Sequence, residues 1–326
     1  YSIYKNCFLL DYGQNTKNPR SIEACFPVDS KLKTGSPFSL DSPMQVWNSK
    51  VSDNKSVLLA KVPLENSVKK FVCIQLKSDK SLKYSDLSKL YDRAEARRKE
   101  IANAVQIETP DSFINPLGGV LSTAADAIWD NCWMHGAIGW RMPLNGWRAA
   151  YVGDCVGWHK KARQHFDNYA ASQVTDIEPS IPHPAQDSSL NLARALKKWS
   201  TPMYSNGYIC RNPNQTTKMH HYDMNLCYID ELLWHLNWTG DVKYAKKVWP
   251  VIKRDLKWEK LNCDPGNDGL YDAYASIWAS DALYYNSGAV THSSAYNYRA
   301  NRMAALIASK IGADPQVYLA ESEKIM

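Results

Sequence analysis

A mainly α-helical protein with an N-terminal β part is the fold class that this sequence predicts. Three observations carry the prediction: short β-rich runs before residue 80, helical periodicity after Pro116, and connections between helices that alternate between short and long. The chain has 326 residues, 44% hydrophobic and 22% charged, so it can bury a core without staples. That composition excludes disorder, collagen-like repeats and a coiled coil as the main architecture. No apolar run approaches the roughly 18 residues of a membrane span. The net charge of +6 is scattered rather than gathered into a basic stripe, so nucleic acid is not an expected partner.

The β part is expected over residues 1–84. Cys7-Phe8-Leu9-Leu10, Ser56 to Val62 and Phe71 to Leu76 are short β-rich runs separated by Asn, Asp, Ser, Gly and Pro clusters. They predict an antiparallel sheet within a β-sandwich-like domain. From Ser85 to about Val105 the period changes, with Leu87, Leu90, Tyr91, Ala94, Ile101 and Val105 on one side. A linker helix and its connection are expected over 85–114. The cluster Arg93, Arg97, Arg98 and Lys99 reads as its solvated face.

The helical part is expected over 115–326. After Pro116, residues Leu117, Val120, Leu121, Ala124, Ala125, Ile128, Trp129 and Cys132 recur at helical spacing and predict a helix packed against others. Further helices are predicted over 154–171, 188–199, 223–238, 241–261 and 291–311, with a seventh opening near Asp314. Asp223 has the chemistry of an N-cap, and Pro250 predicts a kink. Thr239-Gly240 and Gly312-Ala313 are tight connections. Those over about 135–153, 200–222 and 263–290 are long and rich in Trp, Tyr, His and Asp, the kind of loop that more often works than merely connects. Gly240-Asp241 to Tyr244-Ala245 recurs, loosely, as Gly312 to Asp314 and Tyr318 to Ala320, 73 residues on. Repeating helical hairpins with their long loops at one end predict an (α/α) toroid.

The aromatic residues are skewed: 12 Trp and 19 Tyr against 6 Phe. Trp and Tyr carry a polar handle that seeks a partner, which suits a wet cleft, although helix packing uses them as well. All the tryptophans but Trp47 lie from Trp129 onward. The eight cysteines include no C-x-x-C pair and no zinc-site spacing, so neither a metal nor another cofactor is expected. The chain opens at Tyr1 without an initiator Met, and removal of a preceding segment is the expectation.

The order of elements, together with Asp268-Gly269-Leu270-Tyr271-Asp272-Ala273-Tyr274 and the following Ser287-Gly288 to Thr291-His292 and Arg299-Ala300, resembles the six-hairpin (α/α)6-barrel glycosidases of the glucoamylase-like clan. The Gly-Trp-Arg and Gly-Trp-His segments at Gly146 and Gly157 are also similar to those of an uncharacterised bacterial family of glycoside hydrolases. The resemblance implies cleavage of a glycosidic bond with inversion, a carbohydrate substrate, and a periplasmic or secreted location. By the motif Asp272 takes the place of the general acid. Asp281, which follows Trp278 in the same loop, is the other candidate. Glycoside cleavage needs an acid kept protonated and a second carboxylate across the sugar. Either Asp could instead cap a helix or hold the loop.

Gly146-Trp147-Arg148 is similar to the clan's sugar-gripping Trp-x-Arg-Asp segment. An indole stacks on a sugar face while Arg148 and Asp154 take hydroxyls. Asp154 reads equally well as a helix N-cap. His220, His221 and Tyr222 fit hydroxyl contacts better than a metal pair, because adjacent residues do not face one another on a helix. Tyr271, Trp278 and Tyr285 complete the expected lining. Such a barrel needs twelve helices and keeps its second carboxylate on the last loop, so about half of the toroid is expected here. The remainder is expected from a longer chain or another subunit. Two other readings stand beside this one. A polysaccharide lyase or sugar epimerase on the same toroid would rely on Tyr and His as proton abstractors. A non-catalytic glycan-binding protein would bind without turnover.

Overall fold

A computed structural model describes residues 2–4, 6–12, 19–35, 42–48, 57–77, 83–136, 139, 141–178, 204–216, 223–272 and 289–326. The chain divides into two compact units, Tyr1–Glu100 and Ile101–Met326. An N-terminal antiparallel β part is followed by a helical part, as the sequence predicts.

In the first unit, β1 (Ser2–Tyr4), β2 (Cys7–Tyr12), β3 (Arg20–Cys25) and β6 (Cys73–Leu76) form one antiparallel sheet in the order β1-β2-β3-β6. β4 (Lys31–Gly35) and β5 (Val57–Lys61) pair separately. β3 is central although it has no apolar run. It alternates Arg20, Ile22 and Ala24 with Ser21, Glu23 and Cys25, and that period of two is a strand signal by itself. The short helix α1 (Pro43–Asn48) leans on β4 where Gly35 leaves no room for a side chain: a Cβ there would lie 2.8 Å from the Val46 carbonyl oxygen. Phe8 packs edge-on against Phe26 at 5.5 Å, and Phe8, Ala24, Cys25, Val46 and Leu87 are buried.

Helix α2 (Leu87–Ala102) follows a 3₁₀ turn at Tyr84–Asp86. It is almost wholly part of the first unit, since Leu87 is buried and the Tyr91 ring meets Phe71 at 5.5 Å. The boundary therefore falls at Glu100, inside the stretch expected as a linker. The basic cluster is a solvated face whose guanidinium groups reach neighbouring acids: Arg98 pairs with Glu95 at 2.6 Å and Arg97 with Glu100 at 2.9 Å.

In the second unit, α3 (Leu117–Ala127) departs from the prediction in length and in facing. It stops at Ala127, and the chain turns through a Trp129 to Trp133 bridge, with Asn131 in a left-handed conformation, into the ribbon of β7 (Met134–His135) and β8 (Met142–Pro143). Leu117, Val120 and Leu121 remain 46%, 57% and 58% exposed, while Gly118, Ser122 and Ala125 are buried. Small residues explain the reversal. A Cβ on Gly118 would lie 2.5 Å from the Val105 carbonyl oxygen, so only the small face can lie that close to the preceding chain.

The helix predicted over 154–171 is two helices, α4 (Tyr151–Cys155) and α5 (His159–Ala170), broken at Gly157 with its φ of +74°. The predicted helix 188–199 lies outside the described residues. α6 (Asp223–Thr239), α7 (Val242–Cys263), α8 (Thr291–Ile311) and α9 (Gln316–Ile325) follow the predicted spans closely, and α7 runs on through Pro250. The internal repeat has a structural meaning. Gly240 and Gly312 take left-handed conformations after α6 and α8, and Asp241 and Asp314 then accept N–H bonds from Tyr244 and Gln316, each at 2.9 Å, to start α7 and α9.

α6 contacts α4, α5, α7 and α8, and α8 contacts α7 and α9. Trp133, Phe166, Tyr169, Tyr228, Leu232 and Ile252 fill the main core, and Tyr208, Trp258 and Tyr271 a second cluster. Trp133, Trp249 and Trp258 are thus packing residues rather than cleft linings. No helix among the described residues is long and apolar enough to cross a membrane.

Candidate functional site at the amino-terminal ends of α6 and α8

The described parts of the long connections meet near the starts of α6 and α8. Asn145 donates to the Ile209 carbonyl at 3.0 Å and to Asn225 Oδ1 at 3.1 Å, tying two of these connections to the first turn of α6. Gly146 makes the approach possible. A Cβ there would lie 2.1 Å from the Met224 carbonyl oxygen and 2.8 Å from the Tyr228 nitrogen. The next two residues project from this contact. Trp147 is half-buried with its ring edge-on to His135 at 4.0 Å, and Arg148 is exposed at a φ of +60°. A left-handed arginine is a strained conformation held by its surroundings, of the kind that collects at functional sites.

Behind Arg148 lie two successive acids of α6 with opposite surroundings. Asp230 accepts from Arg299 Nε of α8 at 2.6 Å and from the Tyr151 hydroxyl of α4. Glu231 is 1% exposed; among the described residues it accepts the Ala150 N–H, at 3.1 Å, on Oε1, and its Oε2 has no hydrogen-bond partner. Burial, reinforced by Asp230, pushes the Glu231 carboxyl well above the usual carboxylate range, although the Ala150 N–H and Arg148 oppose the shift. One acid of this pair sits in an ion pair, and burial disfavours the charged form of its neighbour.

The near turns of α8 add His292 and Tyr296, with ring centroids 5.2 Å apart. Burial, helped by the charge of Arg148, lowers the His292 pKa, so this ring is neutral at pH 7. Cys227 of α6 donates its thiol to the Tyr296 oxygen at 3.2 Å, and burial raises the pKa of both groups. Deeper, Asp255 and Glu259 stand one turn apart on α7. Burial raises both, with Glu259 pushed up to about 8, while Asn297 donates to Glu259 Oε2 at 3.4 Å.

Asp272 is half-buried at the neck of the connection before α8. Its N–H donates to the Cys263 carbonyl at 2.6 Å and its backbone bridges to Ala289. Asp154 is not the helix N-cap that its place in the sequence suggests. It caps neither α4 nor α5, whose N-caps are Ala150 and Trp158. At 2% exposure its carboxylate meets His235 Nδ1 at 2.9 Å and His159 Nδ1 at 2.7 Å, which ties α4, α5 and α6 together. Tyr271 is likewise inside, 1% exposed with its hydroxyl donating to Glu321 of α9 at 3.0 Å. His220, His221, Tyr222, Trp278, Asp281 and Tyr285 lie outside the described residues.

Asp230, Glu231, Tyr151 and Tyr296 are absent from the residues that the sequence singles out. A signal for the acids was present: α6 reads Ile229-Asp230-Glu231-Leu232-Leu233, two adjacent acids flanked by apolar residues in the middle of a helix. Among the described residues no group of three or more His, Cys, Asp or Glu is arranged to hold a metal ion.

Residues 1–95 match the family model described as Domain of unknown function (DUF4450). No curated protein matches the chain. Among solved structures the chain is similar to the GH78 family rhamnosidase of Bacillus sp. GL1, at 10% identity and a TM-score of 0.49, over 97% of this chain and 32% of that one. The chain spans about a third of that protein's length.

Proposed function

We propose that the helical unit carries the sugar-gripping and proton-donating part of a glycoside-hydrolysing site. The observation that carries this reading is the convergence near the starts of α6 and α8 of a half-buried indole, an exposed guanidinium held at positive φ, and two acids with opposite surroundings. Trp147 stacks on a pyranose face and Arg148 takes its hydroxyls in charge-assisted hydrogen bonds. Glu231 is a positioning residue: by accepting the Ala150 N–H it fixes the strand of chain from which Arg148 projects. Asp272 is the general acid, a half-buried carboxyl at the neck of a long connection. It protonates the leaving oxygen while a second carboxylate, from outside the described residues, activates water on the opposite face with inversion. The helices then belong to an (α/α) toroid, with a β-sandwich-like domain before it.

The test uses the protein expressed from its native gene, assayed on aryl glycosides of graded leaving-group pKa. Asp272→Asn is expected to lower kcat by about 10²–10⁴-fold on poor leaving groups and much less on activated ones, because only a poor leaving group needs the proton. Equal loss on both series, or no loss, removes Asp272 from the role. A second reading is favoured by the neutral His292 beside Tyr296 and within the field of Arg148. A neutral imidazole can abstract a proton α to a uronate carboxylate that the arginine neutralises, as in a lyase or epimerase. A product absorbing in the ultraviolet, lost in His292→Ala and retained in Asp272→Asn, would select that reading.

A further inference from the structure

Cys7, Cys25 and Cys73 fall in one row across three neighbouring strands of the first unit: Cys7 pairs with Cys25 across β2 and β3, and Cys25 with Cys73 across β3 and β6. Directly opposed residues project from the same face of a sheet, so three thiols stand side by side. Cys25 is buried in the middle, and Cys7 and Cys73 are half-buried on either side. We propose that this row is a thiol–disulfide exchange site, in which Cys25 closes a cross-strand disulfide with Cys7 at the expense of a low-molecular-weight disulfide.

The hydrogen-bond register selects the pair. Phe26 N–H donates to the Asn6 carbonyl at 2.9 Å, which makes the adjacent Cys7–Cys25 position non-hydrogen-bonded, where Cα atoms stand about 4.5 Å apart and side chains are closest. Lys77 N–H donates to the Ser21 carbonyl at 2.8 Å; four residues along, Cys25 and Cys73 therefore occupy a hydrogen-bonded position, at about 5.5 Å. Both spacings lie within the window of about 4.4–6.8 Å that a disulfide spans. The register thus makes Cys7 and Cys25 the closer pair, and the Asn6 amide donates to Cys25 Sγ at 3.7 Å.

The step balances with oxidised glutathione as the oxidant. The Cys7 thiolate attacks one glutathione sulfur, that S–S bond breaks and one glutathione thiolate leaves. Cys25 loses its proton to water and attacks Sγ of Cys7 in the mixed disulfide, and the second glutathione leaves. Two cysteine thiols are oxidised to one disulfide while one glutathione disulfide is reduced to two thiols. Burial, with Cys7, Glu23 and Cys73 as the groups facing it, pushes the Cys25 thiol up to about 12, so the second attack is the slow one. Its rate should rise roughly tenfold per pH unit across the neutral and mildly alkaline range.

The test is a reaction of the reduced, folded protein from its native gene with oxidised glutathione, quenched by alkylation and mapped by tryptic mass spectrometry. Cleavage after Lys17, Arg20, Lys31, Lys70 and Lys77 places the three cysteines on separate peptides. The expected result is a Cys7–Cys25 cross-linked peptide whose formation accelerates with pH, while exposed Cys155 keeps a simple glutathione adduct. Cys25→Ser should leave the adduct on Cys7 unresolved, and Cys73→Ser should leave the cross-link intact. Persistent adducts on Cys7 in the parent protein, or a Cys25–Cys73 peptide in place of Cys7–Cys25, would overturn the proposal.

Discussion

Helices α3 and α6 treat their residues in opposite ways. α3 leaves Leu117, Val120 and Leu121 facing out and buries Gly118, Ser122 and Ala125. α6 buries 13 of its 17 residues, and those include Asp223, Asn225, Asp230, Glu231 and His235. The difference lies in what each neighbour offers. The chain beside α3 comes so near that only hydrogen or a small side chain fits, so proximity rather than apolarity selects the inner face. Around α6 the neighbouring segments supply groups that answer its polar atoms: Arg299 and Tyr151 for Asp230, the Ala150 N–H for Glu231, Asn145 for Asn225 and Asp154 for His235. A buried polar residue with a partner is tolerated, and where no cation answers it a carboxyl gives up its charge instead.

The contrast can be broken most forcefully in α6. Leu232→Ala, at a fully buried position, should cost about 2–5 kcal/mol in urea unfolding, and a loss below 1 would show that α6 is not the packing centre. The next largest effect is a pH dependence. Glu259 has a folded-state pKa of about 8, above its unfolded value, so the folded state holds the extra proton between roughly pH 4.5 and 8. Its stability contribution is full below the unfolded pKa and is lost as pH rises to about 8, by up to about 1.4 kcal/mol per unit. Glu259→Gln should make that slope shallower, leaving the parts that the raised Asp255 and Glu231 carboxyls contribute, and an unchanged slope in the variant would contradict the assignment.

Asp230→Ala removes the acceptor shared by Arg299 and Tyr151. It should cost about 2 kcal/mol, moderated because Arg299 can return to water. Gly118→Ala sets a clash with the Val105 carbonyl against better helix propensity, for a net loss of about 1 kcal/mol in thermal unfolding. Smallest of all, Leu121→Ser on the open face of α3 should stay within about 0.5 kcal/mol. A large loss there would mean that the face is covered.

The same contrast explains what the sequence made legible. The stops of α6 and α8 follow from Gly240 and Gly312, and the starts of α7 and α9 from Asp241 and Asp314, because caps and left-handed glycines act locally. The facing of α3 was not legible, since it depends on the carbonyl of Val105, which no periodicity reports. At the site, Trp147 and Arg148 stand out in sequence as a Gly-Trp-Arg segment. Asp154 misleads because a carboxylate before a helix reads as a cap until His235, 81 residues away, is seen to hold it. Glu231 lies among apolar neighbours in the middle of α6, and its role depends on the Ala150 N–H, 81 residues distant.

The central claim is that Trp147 and Arg148, held at the start of α6, grip a sugar. Saturation-transfer difference NMR of the protein with a panel of neutral and acidic oligosaccharides tests it most directly, with Gly146→Val as a probe of the loop's seat and Arg148→Ala as a probe of the grip. The account predicts transfer to the ring protons of at least one sugar, lost in Arg148→Ala at unchanged melting temperature and lost in Gly146→Val. Transfer that is equally strong in both variants, or absent from the parent protein across the panel, would contradict it.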